Sequence, residues 1–388
     1  MSKNIKRNTL FIILFGYLIT SCGQKEQQPN FEIDGTINVD SGKVCLYFYS
    51  DYIPNEEKVI FAEVKDKKFS ISGYIPESQA VFIDLDNDTI KGSIYVSSEF
   101  IIDKGLQTIS IDINLSREVP VVKNKTMLEE YPNYLVFYEE INTRYDLFYK
   151  KIDSLNKLYN YDLPNSVSLM TDQEKKILEN ASDRTLLRYT EKNPNSKLAF
   201  WKLISLMGWG YEPIFDSIYN TFSDNIRNGY AGQVLKRKLQ GGKQLTVGKT
   251  FPDFNCQNTN GENLLTDIFL KNKFTLVDFW YSNCGPCRRQ FSQLRNLYKQ
   301  YGGRGFEIVA ISVDQMKNKE DWENLIVDEN LIWKQYWDKN GAESHRFSIN
   351  VFPTNFLIDS TGKIIDKNIS LDKLDVLLRS QVFKNHSK

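Results

Sequence analysis

The chain has 388 residues, and its 49 basic and 49 acidic side chains cancel to a formal charge of zero. That length exceeds one ordinary domain and allows two or three. A neutral total speaks against a nucleic-acid partner or an acidic substrate, and a hydrophobic fraction of 41% with 13% aromatics suits a globular protein with sizeable cores.

The first element in chain order is an address rather than a fold. Lys3, Lys6 and Arg7 precede the apolar run Leu10 to Ile19, followed by Thr20, Ser21 and Cys22. A basic start, a short apolar stretch and small residues mark 1–22 as a secretory signal peptide. The run falls short of the roughly 20 residues that cross a bilayer, which weighs against an uncleaved anchor. Ile19-Thr-Ser-Cys22 also resembles a bacterial lipobox. The resemblance implies that Cys22 carries lipid as the first mature residue and that 23–30 is a tether. The domains would then sit in the cell envelope, held on a lipid membrane and facing the periplasm.

Residues 31–122 alternate and turn often. Lys43 to Tyr49, Lys68 to Ser72, Ala80 to Leu85 and Thr108 to Ile113 read as strands, rich in Val, Ile, Phe and Tyr and separated by Gly, Asn and Asp. Short strands at this spacing predict a small all-β sandwich, without a catalytic constellation. Residues 125–242 change period. Tyr134, Phe137, Tyr138, Ile141, Tyr145 and Phe148 recur at steps of three and four, and similar faces run through Leu186, Leu187 and Tyr189 and through Leu198, Trp201, Leu203 and Leu206. Pro164, Pro194 and Pro213 punctuate an α-helical region of four or five helices. Its aromatic stripe reads as core, not as a cofactor box. Gly241-Gly242 reads as a hinge or linker.

Residues 245–388 alternate strand and helix. Phe274 to Trp280 is a continuous apolar run of buried-strand type. Pro286 to Tyr301 has helical spacing, ended by Gly302-Gly303. Phe306 to Val313 is a second buried strand and Asp321 to Glu329 a short helix. Two strands flank a Ser-Thr-Gly turn at 360–362, and Leu371 to Val382 closes the chain as a helix. The whole is multidomain, with a C-terminal α/β domain on one central sheet.

Five cysteines, at 22, 45, 256, 284 and 287, are too few for a disulfide scaffold in so long a chain. Cys284 and Cys287 stand three apart where a buried strand gives way to a helix. Such positions have Cβ atoms about 5–6 Å apart, and a small adjustment brings them within the roughly 3.5–4.5 Å a disulfide needs. The free N–H groups and positive dipole end of a helix start favour a thiolate. Cys284, first and outward, is the expected nucleophile, and Cys287, one turn inside, the resolving thiol. Pro286 fits the first turn, where its missing N–H costs nothing. Asp278 lies six residues before Cys284 within the apolar strand. Burial there should raise its pKa and suit it to take the Cys287 proton. The alternative is a carboxylate turned to water at the strand edge.

The segment Val277-Asp-Phe-Trp-Tyr-Ser-Asn-Cys-Gly-Pro-Cys-Arg288 resembles the thioredoxin active-site segment. Val247 to Phe254 resembles the opening strand of TlpA/ResA-type thioredoxin-like proteins of the AhpC/TSA–redoxin superfamily, and Asn350 to Asp359 resembles their later strand, whose proline is cis. The resemblance covers about 245 to 388. It implies a thioredoxin fold and a redox-active dithiol with no other cofactor. It makes Pro353 the cis-proline beside the dithiol and Phe352, Pro353, Thr354, Trp280 and Asn283 the substrate-binding surroundings, with the Phe352 backbone pairing to an extended substrate. It implies disulfide exchange with exported protein thiols and disulfides, reduction by a membrane electron donor, and a place in cytochrome c assembly. More loosely, the two N-terminal regions resemble those of Bacteroidetes lipoproteins of this type. Two departures stand out: the family's Trp before the first Cys is Asn283, and its Glu three residues after the second is Gln290.

Zinc is the standard rival for a Cys-x-x-Cys pair, but it needs two more ligands. Cys45 and Cys256 are isolated and read as buried small hydrophobes. The only histidines are His345, expected on a helix before Pro353 without catalytic duty, and His386. A structural disulfide remains a further alternative. So does a peroxiredoxin-like peroxidase, although the Pro-x-x-x-Thr/Ser-x-x-Cys segment of that class is absent before Cys284. A non-enzymatic reading makes the N-terminal regions a partner-binding module with an accessory redox domain.

Overall fold

The computed structural model describes residues 28–54, 58–86, 95–264 and 266–382. The signal segment, Cys22, most of the tether and His386 lie outside the described residues.

Alternation organises the first region. In β1 (Phe31–Ile37) Phe31, Ile33 and Ile37 are buried while Glu32, Asp34 and Thr36 are exposed, the half-buried pattern of period two. Then come β2 (Ser41–Phe48), β3 (Val59–Lys65), β4 (Lys68–Gly73), β5 (Gln79–Leu85), β6 (Phe100–Ile102), β7 (Gly105–Ile111) and β8 (Val121–Lys123). Gly35 faces Phe69 in register, and a Cβ on it would fall 2.0 Å from the ring carbon Cζ, so only glycine leaves the ring its place. The region is all-β, as read. Its strands are joined in one continuous hydrogen-bonded ladder, in the order β6-β5-β2-β3-β4-β1-β7-β8, rather than in two hydrogen-bonded sheets. Alternation fixes which face each strand buries but not where a ladder ends.

Seven helices follow among the described residues: α1 (Lys125–Glu129), α2 (Tyr131–Leu158), α3 (Asn165–Lys192), α4 (Lys197–Gly208), α5 (Ile214–Thr221), α6 (Asp224–Arg227) and α7 (Tyr230–Lys243). The short α1 and α6 carry too few residues to display a period. Tyr138, Ile141 and Phe148 are buried along α2, and the aromatic stripe lies against core. One continuous core joins Ile33, Leu46 and Ile83 of the sheet to Phe200, Trp201 and Leu203 of α4 and Leu235 of α7. Asp103, after β6, ties the two regions: it accepts from the Thr126 N–H at 2.8 Å and from Lys197 Nζ at 3.1 Å.

Gly241-Gly242 is not a hinge. Both glycines are buried inside α7: a Cβ on Gly241 would fall 2.0 Å from the Arg346 carbonyl oxygen of the next region, and one on Gly242 2.4 Å from Tyr211 Cβ of the helical region. Glycine here permits close approach rather than flexibility.

The last region contains α8 (Asp267–Leu270), β9 (Phe274–Trp280), α9 (Gly285–Tyr301), β10 (Phe306–Ser312), α10 (Lys319–Asp328), β11 (Lys334–Trp337), α11 (Ala342–Arg346), β12 (Thr354–Asp359), β13 (Ile364–Lys367) and α12 (Leu371–Val382). Its sheet runs β11-β10-β9-β12-β13, with β9, β10 and β11 parallel and β12 and β13 antiparallel. This is the expected thioredoxin fold. The expected opening strand at 247–254 makes only an isolated bridge, Thr250 to Lys363. On one face Leu276, Ile308 and Leu357 meet α9 and α12 through Leu294, Leu297, Leu374 and Leu378. On the other, Val277, Phe279, Val309 and Phe356 meet Leu245, Phe251, Phe254 and Phe269. Both faces are covered, so β9 is buried at every position.

Gly241→Ala tests the junction. In an open helix Ala would gain up to about 1 kcal/mol. Here the methyl meets backbone, and overpacking of this kind costs about 1–3 kcal/mol, so the melting temperature of the full chain should fall when measured by calorimetry.

Candidate active site

Strand β9 ends at Trp280, and the turn Tyr281 to Asn283 leads into α9. The turn closes by the Cys284 N–H donating to the Tyr281 carbonyl at 3.0 Å. Cys284 caps the helix, its Sγ accepting from the Cys287 N–H at 3.1 Å, with Pro286 in the first turn. The helix start therefore directs one of its free N–H groups at a sulfur, which is the arrangement that holds a thiolate once the bond opens. Cys284 and Cys287 are joined as a disulfide, their Cα atoms 5.3 Å apart.

Cys284 is not outward. It is 1% exposed and Cys287 2%, so the expected contrast between an outer and an inner cysteine is absent in the disulfide form. Bonding requires the two Cβ atoms to close up, which holds Cys284 against the helix base among Trp280, Phe291 and Leu294, with Tyr281 and Phe352 packed on the cluster. Its chain neighbours Asn283, Gly285 and Pro286 are exposed.

Asp278 is buried, not turned to water, with 4% exposure. Its ladder neighbours are Ala310 on β10 and Asn355 on β12. Alternation places it on the same sheet face as Leu276 and Trp280, the face that carries α9 and the dithiol. Desolvation alone pushes its carboxyl from 3.8 up to about 7, so near neutrality it holds or releases a proton readily.

Phe352–Pro353 is a cis peptide bond. The antiparallel register pairs Thr354 with Phe279, which sets 352–353 just beyond the end of β9, and the Phe352 ring meets Tyr281 edge to face with centroids 5.7 Å apart. Phe352, Pro353 and Tyr281 are half-buried and Asn283 is exposed, a rim around the disulfide. Two residues expected in that rim lie elsewhere. Trp280 is 1% exposed and packs on Phe291 at 5.3 Å, because a strand covered on both faces has no open side. The Thr354 hydroxyl is taken up by the Val351 carbonyl at 2.7 Å.

Sequence reasoning missed Asp314. Buried beyond the end of β10, it accepts from the Ser282 N–H at 2.9 Å, the Ser282 hydroxyl at 2.7 Å and the Ser312 hydroxyl at 2.6 Å. Its carbonyl accepts from Trp337 Nε1 at 2.7 Å. It thereby pins the turn two residues before Cys284. The available signal was an acidic residue directly after an apolar strand, at the carboxyl edge where α/β sites form.

Cys45 and Cys256 are buried thiols, pushed up in pKa by desolvation. His345 lies in α11 as expected, and its Nε2 sits 2.8 Å from Asp51 Oδ2. Gln290 is half-buried on α9. Among the described residues no group of three or more His, Cys, Asp or Glu side chains is arranged to hold a metal ion, and no helix is long and apolar enough to cross a membrane.

Residues 247–367 match the model of the AhpC/TSA family. A thiol-disulfide oxidoreductase ResA of Bacillus cereus is 30% identical over 128 residues, which cover 33% of this chain and 72% of that protein. ResA of Bacillus subtilis is 29% identical over 136 residues, 34% of this chain and 74% of the other. Among solved structures, the thioredoxin domain of a thiol-disulfide oxidoreductase from Bacteroides vulgatus is 30% identical, covering 36% of this chain and 99% of that one with a TM-score of 0.32. A thiol-disulfide oxidoreductase from Bacteroides fragilis is 31% identical, covering 34% and 98% with a TM-score of 0.31.

A carboxyl whose folded pKa lies above its unfolded value stabilises the fold fully at pH below the unfolded value and loses that contribution as pH rises through the folded one. For Asp278 the window runs from about 4 to about 7. Asp278→Asn should remove this dependence. Denaturant titrations should show the variant gaining on the unsubstituted protein between about pH 5 and pH 8, by an amount on the order of a few kcal/mol.

Proposed function

This chain belongs to the ResA-type thiol-disulfide oxidoreductases of the AhpC/TSA family, and from that membership we propose that it reduces disulfides of exported proteins from the cell envelope, anchored by lipid on Cys22. The observation that carries the reading is a dithiol pair at a helix start with a buried carboxyl of pKa about 7 on the same face of the sheet. In the reduced protein the Cys284 thiolate attacks a substrate disulfide. A mixed disulfide forms and one substrate thiolate leaves. Cys287 gives its proton to Asp278 and attacks Cys284 Sγ. This closes the Cys284–Cys287 bond and releases the second substrate thiolate, so two electrons pass from the dithiol to the substrate. With Gln290 where relatives of this type carry a carboxylate, Asp278 takes that proton alone.

The exposed Asn283 and the half-buried Phe352 and Pro353 offer the docking rim, and the Phe352 backbone offers an edge to an extended substrate strand. Gly-Pro between the cysteines favours the reducing direction, and a membrane dithiol donor returns the electrons. Cytochrome c assembly is the place in the cell that the family resemblance favours. Export fits the whole scheme, since disulfides persist outside the cytosol.

Reduced protein mixed with insulin tests these roles. Cys284→Ser should abolish exchange. Cys287→Ser should accumulate covalent substrate complexes visible on non-reducing gels. Asp278→Asn should slow resolution by about 10²-fold or more, the usual scale of a lost general base, with attack little changed. Retained insulin reduction by Cys284→Ser would refute the scheme. Equilibration against glutathione should give a potential near the roughly −270 mV of thioredoxin, and a value near about −120 mV would reverse the direction.

A further inference from the structure

The segment from Ser348 to Pro353 reaches the dithiol rim without regular secondary structure, so its position is set by what fastens it. At its far end Thr354 enters β12. At its near end it is fastened to the helical region and, through His345, to Asp51 of the β region. The buried Ser348 hydroxyl donates to the Lys238 carbonyl of α7 at 2.8 Å. Asn350 Nδ2 donates to the Met207 carbonyl of α4 at 3.3 Å. The Arg346 carbonyl lies against Gly241, and the Lys238 ammonium and His345 Nε2 both lie on Asp51 Oδ2, at 2.9 and 2.8 Å.

Ser348 is informative by its backbone. It has φ +59° and follows α11 in a Schellman arrangement: its N–H donates to the His345 carbonyl at 3.1 Å, and the Ile349 N–H to the Ser344 carbonyl at 2.8 Å. Glycine is the usual residue there, because a Cβ is disfavoured at positive φ. A serine keeps that cost and in exchange crosses the junction with its hydroxyl. The hydroxyl makes its bond not within the local turn but to the Lys238 carbonyl of α7.

We propose that the helical region positions the substrate rim of the redox site, with Ser348 and Asn350 as positioning residues that hold Phe352 and Pro353 in place for a protein disulfide. The proposal rests on the oxidoreductase function and on substrate docking at Phe352. The dithiol itself is placed by β9, α9 and Asp314, none of which touches these fastenings. Docking and chemistry are therefore separable.

The test uses the full chain with Ser348→Gly, Ser348→Ala and the double variant Ser348→Gly with Asn350→Ala, assayed with insulin and with the small disulfide 5,5′-dithiobis(2-nitrobenzoate). Losing one or two such hydrogen bonds should raise the KM for insulin by up to about tenfold. The rate with the small disulfide and the equilibrium with glutathione should stay within about twofold. Ser348→Ala loses the bond but keeps the strained backbone, so it should melt lower than Ser348→Gly at the same KM. An unchanged insulin KM would overturn the proposal. So would a KM that tracks melting temperature across the variants, or parallel changes with both disulfides. If the unsubstituted protein reduced neither disulfide, the oxidoreductase reading would fall, and this proposal with it.

Discussion

The complete burial of β9 is the constraint on which the site depends. Because helices or loops cover both sheet faces, every side chain of Phe274–Trp280 is enclosed, and Asp278 keeps only 4% of its surface exposed. An ionised carboxylate is costly in such surroundings, which is why its pKa rises to about 7. The same burial stops the strand abruptly where the sheet ends and sends the chain outward into the turn that starts α9. One packing fact thus supplies both a buried carboxyl that titrates near neutral pH and a cysteine whose sulfur meets a free helix N–H.

Around that frame the polar contacts are few and specific. Asp314 collects three donors from Ser282 and Ser312, and a buried carboxylate so satisfied fixes geometry where an apolar residue would leave the Ser282 groups unpaired. The cluster beneath the disulfide is otherwise apolar. Cys284 is buried within it, so in the oxidised state the site is closed by Tyr281 and Phe352. Docking of a protein disulfide beside Cys284 is the step that depends on how the 348–353 segment is held.

The regions before 245 are more than a spacer. The eight-stranded sheet and α4 and α7 share one core, and the fastenings to 345–350 come from both regions: Asp51 from the turn after β2, Met207 and Lys238 from the helices. The glycine pair that looks like a linker is a place of close packing, Gly241 against Arg346 and Gly242 against Tyr211. A glycine pair reads the same in sequence whether it serves freedom or proximity, since both need only a missing Cβ.

The chemistry and the fold that carries it were legible in the chain alone. A Cys-x-x-Cys pair between an apolar strand and an amphipathic run marks the two sulfurs that the fold joins, because spacing of three at a helix start brings them within reach of each other. The C-terminal strands and helices could be read for the same reason: period two and period 3.6 are local signals. Whatever depends on residues distant in the chain had to wait for the folded molecule. Folding joined the β strands into one sheet, enclosed Trp280, drew Cys284 inward, recruited Asp314 from 32 residues downstream of Ser282, and set Ser348 against Lys238 across 110 residues. Burial and hydrogen-bond partnership are properties of neighbours in space, and no local pattern encodes which distant residue will become one.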